Sequence, residues 1–207
     1  MPFSPVWEAI SAHFFTSASL GRVIALRRAE KQAEGWFKGE LIWLFEQLKQ
    51  SGTVASWKPE CEIGNVPQVD FAIDLTSTTA AVEVKTALCG LLYAQPQPVF
   101  KKGSRWNLPD YVTGGFILPD ILRLASIQIP PHRYLMVFAY PAPASDDWDA
   151  MLAKVHEKAG GLSVGIARVD DSPQEELSIG WLKVNSPVPK PAVPSDAGAR
   201  PALQTEV

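Results

Sequence analysis

Four side chains stand out by type and order along the chain: Glu40, Asp70 in Val69-Asp70-Phe71-Ala72-Ile73-Asp74, and Glu83 with Lys85 in Val82-Glu83-Val84-Lys85. A Glu-x-Lys tripeptide alone carries little, since a chain of this length contains about one by chance. Its setting carries more. Both segments alternate like strands, and Ser77-Thr78-Thr79 between them reads as a turn. A hairpin centred on Ser77 and Thr78 puts Lys85 opposite Asp70 and Glu83 opposite Ala72, with Glu83 and Lys85 on one face. Asp70, Glu83 and Lys85 then lie within diagonal cross-strand reach, while Asp74 falls nearer the turn, opposite Ala81. Neighbouring carboxylates repel unless a cation sits between them. Oxygen ligands from one or two carboxylates, completed by water, suit Mg²⁺ or Mn²⁺. Such an ion lowers the pKa of a bound water and stabilises charge on a phosphodiester. An adjacent lysine orients that water or neutralises developing charge. The chemistry on offer is metal-assisted phosphodiester hydrolysis. The plainer reading is a cross-strand salt bridge on a solvated sheet face, but Asp74 adds a third acid against one lysine and unbalances such a face.

The elements that must position these groups follow from periodicity. Arg22 to Ala33 is rich in helix formers, and Gly35 and Gly39 interrupt that run. A second helix is predicted from Trp36 to Gln50, with Phe37, Leu41, Leu44 and Leu48 at helical spacing and Glu40 at the edge of the stripe. Strands are predicted over Trp57 to Ile63, Val69 to Leu75 and Ala81 to Lys85. Pro119 to Ile127 reads as a helix, with Asp120 a helix-start residue, and Arg133 to Tyr140 as a strand buried on both faces. A helix over Asp146 to Ala159 and strands over Leu162 to Val169 and Leu177 to Val184 follow. The order α-β-β-β-α-β-α-β-β implies an α/β domain, a mixed central sheet flanked by helices.

With those elements in place, the chain resembles the PD-(D/E)xK nucleases, the restriction-endonuclease-like superfamily. The resemblance covers roughly Trp36 to Tyr140, an αβββαβ core. The family's Asp at the head of one strand and Glu-x-Lys on the next match Asp70, Glu83 and Lys85. Its glutamate on the preceding helix is matched by Glu40. The proline that often precedes the Asp is absent, since Val69 stands there and the nearest proline is Pro67, and there is no downstream Gln-x-x-x-Tyr. What the resemblance implies is a metal-dependent nuclease. Asp70, Glu83 and Glu40 would hold Mg²⁺ (or Mn²⁺), and Lys85 would position the attacking water. The substrate would be nucleic acid, DNA by the habit of the family, in restriction, defence or DNA processing. A homodimer is implied by the members that cut both strands. The alternatives are a nuclease-like domain that binds nucleic acid or protein without cutting, and an unrelated α/β interaction protein.

Outside this group, Lys101-Lys102-Gly103-Ser104-Arg105-Trp106 could bind phosphates through Lys101, Lys102 and Arg105 and stack a base on Trp106, or be a solvated loop. Glu60 and Glu62 are further acids, expected to be exposed. His13, His132 and His156 have no partner at ligand spacing, and two cysteines, Cys61 and Cys89, make no disulfide framework. The chain has 207 residues, 46% hydrophobic and 20% charged, with a net charge of −3. That composition is globular, and it lacks the strong basicity of a protein that coats nucleic acid. No signal peptide or membrane span is recognisable, so a cytoplasmic protein is expected. One nuclease-like domain is expected over residues 1–184. Five of the eighteen prolines fall beyond Asn185, so residues 185–207 are expected to form a disordered tail.

Overall fold

Among the residues that the computed structural model describes (2–28, 33–63, 66–88, 108–113, 117–173 and 177–185), the chain opens with α1 (Ser4–Phe14), α2 (Ser17–Arg28) and α3 (Glu34–Gln50). β1 (Ser56–Ile63), β2 (Val66–Asp74) and β3 (Thr79–Leu88) follow, then α4 (Leu108–Thr113) and α5 (Leu118–Ser126). β4 (His132–Tyr140), α6 (Ser145–Lys158), β5 (Val164–Asp171) and β6 (Ser178–Val184) complete it. Lys101, Lys102, Arg105, Trp106 and Cys89 lie outside the described residues, as does the Pro-rich segment 186–207.

The six strands form one mixed sheet in the order β1-β2-β3-β4-β6-β5. β3 and β4 run parallel, and every other neighbouring pair is antiparallel. The expected mixed α/β sheet covered by helices is what forms. β4 is the most apolar strand because it lies in the middle, with Arg133 to Tyr140 all buried. Its side chains alternate between two cores. Tyr134, Met136 and Phe138 meet α1 and α3 on one face, where Phe37 stacks on Phe138 at 4.0 Å between ring centres. Leu135, Val137 and Ala139 meet α4, α5 and α6 on the other, through Val112, Ile121, Leu124, Trp148 and Met151. Gly180 on β6 is required there: a Cβ would stand 2.3 Å from the Trp148 ring.

Four elements differ from expectation, and one of them, α4, is an additional short helix after β3. α1 is an additional helix, started by Pro5 in its first turn and buried through Val6, Trp7, Ile10 and Phe14. α2 begins at Ser17, five residues before Arg22. α3 begins at Glu34 and runs through both Gly35 and Gly39, because burial of Phe37 and Leu41 outweighs the roughly 1 kcal/mol each glycine costs a helix. No single helix among the described residues is long and apolar enough to cross a membrane.

Candidate active site

The turn between β2 and β3 sets the register. Leu75 and Thr78 close it with backbone bonds of 2.7 and 3.4 Å, so Thr76 and Ser77 form the loop. Phe71 faces Val82, Ala72 faces Ala81 and Asp74 faces Thr79. The turn centre expected at Ser77 and Thr78 is one residue late, which displaces the pairing by two. A displacement of two leaves each side chain on its expected face and changes only its neighbour. Continued past Phe71 and Val82, the register brings Asp70 beside Glu83 and not opposite Lys85.

At that point the strands part. The β2–β3 ladder ends at Phe71 and Val82, while β3 continues beside β4 as far as Leu88. Asp70 fills the gap with its side chain: Oδ2 accepts the Val84 N–H at 2.8 Å. This bond fixes the carboxylate at the fork. Asp74, by contrast, accepts the hydroxyls of Ser56 (2.5 Å) and Thr79 (2.6 Å), which hold it below the usual carboxylate range. It locks the hairpin.

A chain of ion pairs runs round the fork from Asp70 to Glu83. Lys38 Nζ lies 2.8 Å from Asp70 Oδ1 and 2.9 Å from Glu34 Oε1. Lys85 Nζ lies 3.1 Å from Asp120 Oδ2 and 3.8 Å from Glu34 Oε2. Arg123 Nη2 lies 2.6 Å from Asp120 Oδ1 and 2.8 Å from Glu83 Oε2. Asp70, Glu83 and Lys85 are thus linked through shared partners at one place. α3 packs its apolar side against the opposite core, yet its first turns carry Glu34 and Lys38 to the fork. α5 delivers Asp120 and Arg123 from the other core.

Four carboxylates here face three cations, so ionising all seven groups would leave one negative charge in excess. The cost falls on Glu83, only 1% exposed, whose Oε1 is buried without a hydrogen bond. Burial and the nearby Asp70 push its carboxyl up to about 8, against the pull of Arg123. Burial also raises Asp120, with Lys85 and Arg123 opposing. For Lys38, burial alone would lower the pKa, but Asp70 and Glu34 outweigh it and the ammonium is raised.

Glu40 is not brought to this group. Its carboxylate bonds His13 Nε2 at 2.9 Å and Arg22 Nη1 at 3.0 Å, pinning α1 and α2 to α3. Glu34 is the acid of α3 that reaches the fork. Glu60 and Glu62 lie on β1 and are exposed, as expected. Glu34, Lys38 and Arg123 join the centre without a sequence expectation, and Asp120 does more there than start its helix. Spacing gave a signal: Glu34 and Lys38 stand four apart and Asp120 and Arg123 three apart, each pair on one helix face.

Among the described residues no three His, Cys, Asp or Glu side chains form a ready-made metal cage. Asp70 and Glu83 are nevertheless neighbouring carboxylates, close enough to repel each other. The unpartnered Glu83 Oε1 and the repulsion between the two carboxylates fit a divalent ion that keeps most of its waters. Comparisons with protein-family models, with curated proteins and with solved structures find no match to this chain.

Proposed function

We propose that the chain is a metal-dependent nuclease with a restriction-endonuclease-like core, hydrolysing phosphodiester bonds of DNA in restriction, defence or DNA processing. The observation that carries this reading is the pairing of a buried, under-compensated Glu83 with Asp70 at the fork of two strands, with Lys85 two residues along. The order α3-β1-β2-β3-α4-α5-β4 supports it, as the αβββαβ arrangement of that superfamily with one short helix added.

Asp70 and Glu83 would hold Mg²⁺ or Mn²⁺, which supplies an acidified water and neutralises charge on the phosphate. Asp70 is held at the fork for this by the Val84 N–H. Lys85, held by Asp120 and Glu34, presents an ammonium beside the carboxylates. It orients the attacking water and stabilises the negative charge that gathers on the phosphoryl oxygens. Glu34 takes the place proposed for Glu40 in positioning rather than in ligation, because its oxygens serve Lys38 and Lys85.

A second reading draws on the ion pairs themselves. Asp70 Oδ1 and Glu83 Oε2 are each capped by a cation of the protein, as in a module that binds nucleic acid without cutting. Cleavage separates the two. Plasmid and labelled DNA and RNA oligonucleotides are incubated with Mg²⁺, Mn²⁺ or EDTA. The nuclease reading expects metal-dependent cleavage, lowered by about 10²-fold or more in Asp70→Ala and Lys85→Ala. Activity that persists in both variants, or in EDTA, removes this site from the reaction.

A further inference from the structure

We infer that Lys38 and Arg123 are the phosphate-binding residues of the centre, seated on Asp70 and Glu83 until a divalent ion is bound and then free to grip a nucleic-acid strand. This rests on the nuclease reading above and assigns the strand two contacts that the Asp, Glu and Lys of the motif do not provide.

The geometry of the carboxylates comes first. Asp70 Oδ2 is committed to the Val84 N–H, so the oxygen left for a metal is Oδ1, where Lys38 sits at 2.8 Å. On Glu83, Oε2 is occupied by Arg123 at 2.8 Å and Oε1 is buried. An ion shared by the two carboxylates therefore competes with Lys38, with Arg123, or with both.

Each cation also has a second anchor on its own helix. Glu34 lies one turn before Lys38, and Asp120 one turn before Arg123. Released from the strands, each side chain stays tethered at the rim of the fork. Both reach solvent, Lys38 at 26% and Arg123 at 34% side-chain exposure. Lys85 differs, because its closest partner is the buried Asp120, and it has no bond to Asp70 or Glu83 to give up.

Charge supplies the reason for the exchange. A divalent ion adds two positive charges to a centre where four carboxylates face three cations, and so leaves positive charge in excess. The freed ammonium and guanidinium then face a site that favours an anion. Guanidinium matches phosphate oxygens in bidentate fashion, and lysine serves as a point charge beside it. Metal and strand should therefore each strengthen the binding of the other, by linkage.

The test reads binding, not turnover. Mn²⁺ affinity of the free protein is measured by titration calorimetry for wild type, Lys38→Met, Arg123→Met and Asp70→Asn, with thermal melts confirming that each is folded. Binding of a fluorescent phosphorothioate duplex is then measured by anisotropy with saturating Mn²⁺. Removing a seated cation should tighten Mn²⁺ binding by about fivefold in Lys38→Met or Arg123→Met, while weakening the duplex by at least as much. An ion pair that is only structural cannot give that opposed pair of changes. Mn²⁺ binding that depends on Asp70 but is unchanged or weaker in both methionine variants overturns the inference and leaves the nuclease reading intact. Absence of Mn²⁺ binding throughout, or binding that survives Asp70→Asn, overturns the nuclease reading, and the inference with it.

Discussion

Burying Glu83 on β3 beside Asp70 costs more than Arg123 returns, and its carboxyl rises from the ordinary 4.5 to about 8. Between those values the folded protein keeps a proton that the unfolded chain has released. By linkage, stability must then fall as pH climbs from about 4.5 to about 8. Glu83→Gln keeps the shape and removes the titration. The variant is therefore expected to gain stability relative to wild type across that window, read from urea unfolding at pH 5, 7 and 9. A gap that does not widen with pH would show that Glu83 is charged in the fold. Glu40 and Glu34 are told apart in the same way. Glu40→Gln should lower stability by about 1 kcal/mol, by loosening His13 and Arg22, and leave cleavage within about twofold. Glu34→Gln should reduce cleavage, because Lys38 and Lys85 lose a shared anchor. The shared face of Glu83 and Lys85, and of Asp70 across the hairpin from them, was legible from alternation and the turn between the strands. The helical acid was not, because six residues separate the two glutamates, about 240° around a helix. Nothing in the local stripe says which side will meet the sheet's fork.

Elements were legible where one periodicity ruled. β4 reads as a buried central strand from its unbroken apolar run, and the β2–β3 hairpin from its alternation. Its register was not, because a turn one residue earlier moves the pairing by two without disturbing the pattern. Asp74, Ser56 and Thr79 hold the observed register through hydroxyl bonds that only three dimensions bring together. α1 went unread although its apolar stripe and first-turn proline are present, and α4, at six residues, is too short for a periodic signal. Gly180 shows the same limit from the packing side. Nothing around it in the chain marks it, yet the Trp148 ring lies where a Cβ would be. Gly180→Ala should cost about 1–3 kcal/mol, measured by denaturant unfolding. A neutral result would mean that the α6 tryptophan moves freely.

At the scale of the molecule, the centre exists because the first turns of α3, the fork of β2 and β3 and the start of α5 meet, one helix from each face of the sheet. No single segment encodes it. The layered α/β architecture could be inferred from element order, whereas the chain of ion pairs forms only after both cores have packed. A net charge of −3 gives the protein no general attraction for polyanions, so the proposed strand contact rests on local cations such as Lys38 and Arg123. All of this turns on a divalent ion shared by Asp70 and Glu83, and diffraction locates one directly. Crystals soaked in Mn²⁺ should show an anomalous peak within coordination distance of both carboxylates, about 2.0–2.3 Å, and none there in Asp70→Asn. A map in which manganese binds only elsewhere, with Lys38 and Arg123 still on Asp70 and Glu83, would contradict it.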